Sequence, residues 1–189
     1  MNNKEFLDFA KIVGKLKLIK RSGWLYRKIP NPESLADHSF RAALLGMVLS
    51  DYQKLDTEKI MRMLLIHDIE EAIIGDIMAV TKEKIDKELL REKQNKALKE
   101  IFSHLPENLK NKYISLWEEM EEGETKESKF CKDIDKLEMM IQVAEYENMD
   151  KDNKEKLDVF WEREDINVPQ RIDEIVKIYE ELRKQRDLE

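Results

Sequence analysis

The stretch Met61-Arg-Met-Leu-Leu-Ile-His67-Asp68-Ile-Glu-Glu71 carries a histidine and an aspartate side by side at the end of an apolar run. An aspartate beside a hydrophobic helix face needs a partner, because an unpaired buried carboxylate is costly. The partner is either an arginine or lysine, or a metal ion, and imidazole nitrogen with carboxylate oxygen suits a divalent transition metal. One His-Asp pair does not decide between these interpretations, so the surrounding sequence is needed.

Histidine and aspartate side chains elsewhere in the chain supply further candidate ligands. His38 lies one turn into a predicted helix, and Asp133 and Asp135 lie in a predicted apolar helix at about residues 126–148. At 100° per residue, Asp133 falls within the apolar stripe of that helix and Asp135 well off it, although other apolar residues lie near Asp135. A helix that is apolar on two sides is predicted to be a buried central helix. The candidate ligands are His38, His67, Asp68 and one of Asp133 or Asp135.

This ligand set indicates a catalytic rather than a structural metal. Structural zinc sites are normally rich in thiolates, whereas the chain has one cysteine. Two nitrogens and two oxygens leave coordination positions open for water and substrate, and a metal bound there could present hydroxide to a phosphorus centre. Glu70, Glu71 and Asp76 follow the His-Asp pair and add acidic side chains near it.

The composition predicts an all-α protein. The chain has 189 residues, of which 41% are hydrophobic and 40% charged, with five glycines and four prolines. β-Sandwiches and barrels need many Gly- and Pro-containing turns, and the glycines are too far apart for a P-loop or Rossmann phosphate loop. No apolar run is long enough to cross a bilayer, no signal peptide is visible, and the single cysteine fits a reducing compartment. We expect a cytoplasmic protein.

Apolar spacing predicts about seven helices packed as one globular bundle over residues 1–189. Ser34 occupies an N-cap position, with Asp37 three residues later in a pattern similar to a capping box. The segment from Arg21 to Pro32 is predicted to be a loop, and one helix is predicted from Thr57 to near Gly75. The other predicted helices cover about residues 4–20, 35–52, 82–104, 106–123 and 126–148, and Pro169 opens the last one, which runs to Arg183.

The net charge of −7 argues against binding to nucleic acid polymers or anionic membranes. The distribution is uneven, because no acid lies between Asp8 and Glu33, where seven lysines and arginines occur. Such a segment is either a solvated helix face or a local patch that attracts anions. Composition leaves both interpretations open.

Several motifs occur in order along the chain. His38, His67-Asp68 and Asp135 resemble the H…HD…D signature of the HD-domain metal-dependent phosphohydrolases. Other motifs are similar to the branch of that family with HD-domain-containing protein 2 and the bacterial 5′-deoxynucleotidases. They are Arg21-Ser-Gly-Trp24, Glu33-Ser-Leu-Ala-Asp-His-Ser39, His67-Asp-Ile-Glu-Glu71, Gly75-Asp76, Lys132-Asp-Ile-Asp-Lys-Leu-Glu138 and Glu145-Tyr-Glu147. The similarity covers about residues 5–150 and leaves a C-terminal helical extension at about 155–189.

The resemblance implies a single HD domain, one divalent metal ion (Mn, Co, Mg, Fe or Zn) and a homodimer. It places the fourth metal ligand at Asp135 rather than Asp133. The implied activity is hydrolysis of deoxynucleoside 5′-monophosphates to deoxynucleoside and phosphate. Two alternatives are an HD phosphohydrolase for another phosphoester, such as a cyclic nucleotide or guanosine alarmone, and a non-catalytic metal-binding interaction module.

The resemblance also implies roles for residues beside the metal ligands. Glu71 positions or deprotonates the attacking water, or protonates the leaving 5′ oxygen, and Asp76 orients a neighbouring group or the sugar. Arg21 holds the phosphate, which suits its guanidinium fork, and Trp24 contributes to sugar or base selection. Ser22 follows Arg21 where the bacterial enzyme has tryptophan. The structural alternatives are a surface salt bridge for Glu71 and packing at the core edge for Trp24.

Overall fold

The computed structural model describes residues 1–78, 81, 84–162 and 172–188. Within these ranges the regular structure is helical, and the one β-type pairing is an isolated bridge between Lys20 and Ser34. The all-α prediction is confirmed. The helices are α1 (Asn3–Gly14), α2 (Ser22–Tyr26), α3 (Leu35–Gln53), α4 (Thr57–Ile66), α5 (Glu71–Ile74), α6 (Lys87–Phe102), α7 (Glu107–Glu122), α8 (Lys126–Met149), α9 (Asp152–Glu162) and α10 (Asp173–Leu188), with a 3₁₀ turn at Lys15–Lys17.

Several predicted elements differ from the structure. The helix predicted at about residues 4–20 ends at Gly14 and is followed by the 3₁₀ turn Lys15–Lys17, and α9 (Asp152–Glu162) was not predicted. The segment at residues 21–32, predicted as a loop, contains the short helix α2. The helix predicted from Thr57 to Gly75 is divided into α4 and α5, because the chain turns more tightly at residues 67–70. There the Ile69 amide donates to the Ile66 carbonyl and the Glu71 amide to the Asp68 carbonyl, both at 3.1 Å. The break places the His-Asp pair between two helices.

Two predicted helix starts, at Lys82 and Pro169, lie outside the described residues. Helix α6 begins at Lys87, later than predicted, because the described residues 84–86 are not helical, and α10 begins at Asp173. At the C-terminus α10 continues to Leu188, beyond the predicted end at Arg183.

The chain divides into two compact units. The first comprises Met1–Ser39 and Leu65–Glu118, and the second comprises Phe40–Leu64 and Glu119–Glu189. Helices α3 and α4 therefore contribute residues to both units. The organisation as a single domain over residues 1–189 stays a prediction.

The core of the first unit forms where α6 and α7 contact the turn after α4. Asp86 is the N-cap of helix α6 in this unit, and its carboxylate accepts the Leu89 amide at 2.9 Å. The apolar residues of α6 recur at helical spacing. Trp117 of α7 is completely buried. The buried cluster consists of Ile69, Leu98, Ile101, Phe102 and Trp117.

The second unit is built around α8, against which α9 and α10 pack. The buried positions of α8 lie on more than one side of the helix, which confirms the prediction of a buried central helix. The Asn153 side-chain amide donates to the Tyr146 carbonyl at 2.9 Å, and the Trp161 indole donates to Glu147 at 3.1 Å, which fixes α9 on α8. The buried apolar residues of α8 are Phe130, Cys131, Ile134, Leu137, Met140, Val143 and Tyr146.

The N-terminus of α3 carries the predicted capping box. The Ser34 amide donates to Asp37 Oδ2 at 2.8 Å, and the Asp37 amide donates to Ser34 Oγ at 3.2 Å. The backbone hydrogen bond from Ser34 lowers the pKa of Asp37 below its usual value, and the hydrogen bond from the Ser34 hydroxyl acts in the same direction. This cap fixes the helix turn on which His38 lies.

Replacing Asp37 with alanine is expected to lower the free energy of unfolding by about 1 kcal/mol at neutral pH. Because the pKa of Asp37 is lower in the folded protein, its contribution is present above a pH of about 3.8 and is lost as the pH falls further. Urea unfolding of the Asp37→Ala variant and the parent protein at about pH 7 and about pH 3 measures this. A difference that stays the same at both pH values contradicts the prediction.

Candidate metal centre

Three of the predicted metal ligands converge in the first unit. His38 Nε2 lies 3.2 Å from His67 Nε2, and Asp68 Oδ2 lies 3.2 Å from His67 Nε2 and 3.9 Å from His38 Nε2. Both histidines are buried. Ligands bound at about 2.1 Å to one ion lie about 3 Å apart, which agrees with the two shorter distances. The residues present, two imidazole nitrogens and a carboxylate oxygen, therefore fit a divalent metal.

The Asp68 carboxyl is ionised in this environment. Burial raises the pKa of Asp68, but His67, Arg21 and His38 together lower it by more, so that the pKa lies well below its usual range. The interaction with Arg21 is direct, since Arg21 Nη1 donates to Asp68 Oδ2 at 2.9 Å. An ionised carboxylate is the form that binds a metal.

Hydrogen bonds from side chains of α6 and α7 fix the turn that carries the His-Asp pair. The Trp117 indole donates to the His67 carbonyl at 3.0 Å and to Glu70 Oε2 at 2.9 Å, and the other oxygen of the buried Glu70 accepts from Gln94 at 3.1 Å. Groups that form hydrogen bonds to a metal-ligating residue determine the orientation of that residue. No sequence pattern indicated Trp117 or Gln94, because both lie far along the chain from the His-Asp pair and neither forms a motif with it.

Arg21 is positioned by backbone hydrogen bonds to the segment before α3. The Arg21 amide donates to the Glu33 carbonyl at 3.2 Å, and the Leu35 amide donates to the Ile19 carbonyl at 2.9 Å. Its side chain is 18% exposed. The structure therefore places the predicted phosphate-binding guanidinium against the carboxylate of a predicted metal ligand.

Asp76 lies next to this arginine in the folded chain. Its Oδ2 accepts a short hydrogen bond from the Ser22 amide, at the start of α2. Gly75, at a φ of 78°, precedes it in a conformation that favours glycine. Of the two roles predicted for Asp76, this contact supports orienting a neighbouring group.

Glu71 and Trp24 are both buried, each at 2% exposure. Glu71 is the first residue of α5, three positions after Asp68. Its burial argues against the alternative that it forms a salt bridge on the protein surface. The Trp24 indole donates to Glu33 Oε1 at 2.9 Å. This contact and its burial favour the packing alternative for Trp24, and a contact with sugar or base stays a prediction.

The two candidate aspartates of α8 lie in the second unit. Asp133 is completely buried and accepts the Ile172 amide, just before α10, at 2.7 Å. Asp133 therefore has a structural role in connecting α8 and α10. Asp135, the ligand that the resemblance implies, is half-buried in the middle of α8.

A cluster of polar side chains around Arg41, which no sequence pattern indicated, also anchors α8. Arg41 Nε donates to Glu138 Oε1 at 2.8 Å, Nη2 to Gln142 Oε1 at 2.7 Å and Nη1 to Glu145 Oε2 at 2.6 Å. Glu138 is completely buried. Burial lowers the pKa of Arg41, but the two glutamates raise it by more, so the guanidinium stays charged. The signal in the sequence was the i, i+4, i+7 spacing of acceptors on a helix that is otherwise buried.

No helix among the described residues is long and apolar enough to cross a membrane.

Comparison with known proteins identifies the family. The sequence model of the HD domain matches residues 13–176. The chain is 41% identical over 148 residues to the "5′-deoxynucleotidase HDDC2" of Xenopus laevis, covering 78% of this chain and 72% of the relative. A conserved hypothetical protein from Pyrococcus furiosus has a TM-score of 0.72 and 34% identity, over 94% of this chain and 99% of that one.

A further solved structure, described as a predicted metal-dependent phosphohydrolase from Magnetospirillum magnetotacticum, superposes with a TM-score of 0.70 at 26% identity. The match covers 96% of this chain and 91% of that one. The helical fold, the convergence of His38, His67 and Asp68 and the extent of these similarities all indicate the same family. The chain belongs to the HD-domain family.

Proposed function

We propose that the protein is a metal-dependent 5′-deoxynucleotidase that converts deoxynucleoside 5′-monophosphates to deoxynucleoside and phosphate. The observation that carries the proposal is the contact of one carboxylate, Asp68, with both His67 and Arg21. A metal-binding group and a phosphate-binding group thus lie side by side. The name of the Xenopus relative supports the choice of substrate.

The metal ligands in this proposal are His38, His67, Asp68 and Asp135. Asp135 is included because it completes the HD signature within the matched residues 13–176. When bound, a divalent ion at such ligands lowers the pKa of a coordinated water and polarises a phosphoryl oxygen. The native metal is one of Mn, Co, Mg, Fe or Zn.

The other site residues act on the substrate and on protons. The Arg21 guanidinium neutralises the phosphate, which matters beside so many carboxylates. Glu71, buried at the start of α5, accepts the proton of the attacking water or donates one to the leaving 5′ oxygen. Asp76 holds the backbone next to Arg21 and thereby keeps the guanidinium in position.

We also propose that residues 1–189 form one HD domain, with a motif-bearing core at about 5–150 and a C-terminal extension at about 155–189, and that the protein is a cytoplasmic homodimer. The HD-domain match to residues 13–176 supports an uninterrupted domain. We expect that the protein does not bind nucleic acid polymers, and this expectation is supported by its net charge of −7.

The proposed activity is tested by a phosphate-release screen over all nucleoside monophosphates, with phosphodiesters and pyrophosphates as competing classes. The protein is first stripped with chelator and then reloaded with each metal in turn. We expect release from deoxynucleoside 5′-monophosphates that depends on metal. Metal-independent release, or turnover of diesters alone, contradicts the proposal, and metal binding without turnover on any ester indicates the non-catalytic module.

Asp76→Asn is expected to raise the KM for deoxynucleotide about tenfold while metal stoichiometry is unchanged. The substitution weakens the hydrogen bond that positions Arg21, and it leaves the metal ligands in place. Steady-state kinetics and metal analysis measure the two effects separately. Asp86→Asn is the matched control, since Asp86 also accepts a backbone amide at a helix start, in α6. An equal change in KM for both variants contradicts the positioning role.

A further inference from the structure

The segment at residues 9–32, which we call the basic segment, stays positively charged in the folded protein. Its cations are Lys11, Lys15, Lys17, Lys20, Arg21, Arg27 and Lys28. Lys11 pairs with Asp8 at 3.4 Å and Arg21 with Asp68 at 2.9 Å, and the Arg27 guanidinium lies over the Tyr26 ring. The four lysines that remain are exposed, and none of them forms an ion pair with a residue that the structure describes.

One of these lysines, Lys20, lies close to the candidate metal centre because the backbone fixes its position there. It forms an antiparallel bridge with Ser34, and the Ser34 carbonyl accepts the His38 amide at 3.1 Å. Paired residues of antiparallel strands have Cα atoms about 5 Å apart, and one helical turn rises about 5.4 Å. The Cα atoms of Lys20 and His38 therefore lie within roughly 11 Å of each other, and Lys20 directly precedes Arg21 in the chain.

The acids of the candidate site repel the group that the proposed reaction must bind. Residues 68–76 carry four carboxylates, those of Asp68, Glu70, Glu71 and Asp76, whereas a phosphate monoester carries a charge of about −1.5 to −2 at neutral pH. Arg21, the cation predicted to hold that phosphate, already contacts Asp68. A further positive charge close to the site therefore favours binding of the phosphate.

We propose that Lys20 attracts the phosphate group of the substrate towards Arg21 by long-range electrostatic attraction. The inference rests on the proposed function, since it concerns the phosphate of that substrate. The energy between two charges falls only as the inverse of their distance, so a lysine about 10 Å away still acts unless salt screens it. The Debye length is about 30 Å at 0.01 M ionic strength and about 8 Å at 0.15 M. Around Lys20 the basic segment is thus a patch that attracts anions rather than a solvated face.

The proposal is tested by measuring the affinity of the metal-loaded protein for inorganic phosphate by calorimetry, at ionic strengths of about 0.01 M and about 0.15 M. We expect Lys20→Glu to weaken phosphate binding about sevenfold at the lower ionic strength and about twofold at the higher one. Lys20→Gln should have a smaller effect, because it removes the charge without reversing it. Lys93→Glu is the matched control, since it makes the same change in net charge at an exposed position of α6, a helix that carries none of the predicted site residues. It is expected to leave phosphate binding unchanged.

Steady-state kinetics distinguish an effect of charge from damage to the site. In Lys20→Glu the KM for deoxynucleotide should rise together with the dissociation constant of phosphate, whereas inhibition by the uncharged deoxynucleoside product and the metal stoichiometry should stay as in the parent protein. Phosphate binding that Lys20→Glu leaves unchanged, an equal loss for Lys93→Glu, a loss that salt does not reduce, or a parent protein that binds no phosphate overturns the proposal. Phosphate binding needs no turnover, so a protein that shows the Lys20 effect but releases no phosphate from deoxynucleotides contradicts the deoxynucleotidase proposal alone.

Discussion

Replacing His67 or Asp68 with alanine is expected to remove stoichiometric metal and to reduce deoxynucleotide hydrolysis by at least about a thousandfold. Each side chain supplies one of the three ligand atoms that converge in the first unit. A divalent ion held by so few protein ligands loses most of its affinity when one is removed. Asp68→Ala also deprives Arg21 of the carboxylate it contacts at 2.9 Å, so the phosphate-binding group loses its anchor as well.

The chain provides a matched control for this prediction. His104 is its third histidine and lies between α6 and α7, so His104→Ala should keep both metal and activity. Metal content is measured by elemental analysis after dialysis, and activity by phosphate release. A His67→Ala or Asp68→Ala protein that is folded and retains full metal stoichiometry contradicts the ligand assignment.

Arg41→Met is expected to lower the free energy of unfolding by about 3 kcal/mol, because it removes a cation that is in direct contact with a buried carboxylate. Glu138 is completely buried and contacts Arg41 at 2.7 Å. The double variant Arg41→Met/Glu138→Met is expected to be more stable than Arg41→Met alone, since it removes the buried carboxylate as well as the guanidinium that contacts it. Urea unfolding measured on all variants gives the interaction free energy as a double-mutant cycle.

Arg62→Met is the matched control for the arginine cluster. Arg62 forms an i, i+4 ion pair with Glu58, whose side chain is 74% exposed, and such surface pairs contribute about 0.5 kcal/mol or less. A loss for Arg41→Met that is no larger than that for Arg62→Met contradicts the role assigned to the buried pair. Equal stability of the single Arg41→Met variant and the double variant contradicts the charge argument.

Local sequence signals predicted a large part of the molecule, because they depend on interactions over a few residues. Scarce glycine and proline predicted the all-α class, and the Ser34–Asp37 pair predicted the N-terminus of α3 to the residue. The division between α4 and α5 was missed. At this break Trp117 of α7 donates to the His67 carbonyl and to Glu70, and no local pattern contains that information.

The candidate site shows the same division between local and distant information. Helical periodicity put Asp133 in the apolar stripe of α8, and Asp133 is indeed buried. Periodicity could not say what a buried carboxylate binds, and in the structure it accepts the Ile172 amide. The resemblance, rather than the periodicity, selected Asp135 as a ligand. For Trp24 the motif suggested a contact with substrate. In the structure its indole is buried and donates to Glu33.

The sequence by itself determined the helical class, the caps and the identity of the candidate ligands, because composition, spacing and motif order carry that information directly. Only the tertiary structure decided which charged groups contact one another. Asp68 contacts Arg21 across 47 positions, and Arg41 contacts Glu138 across 97. The physical reason is that a buried charge is stable only where folding brings an opposite charge or a hydrogen-bond donor to it. Such pairings depend on how helices pack, and helix packing depends on the whole chain.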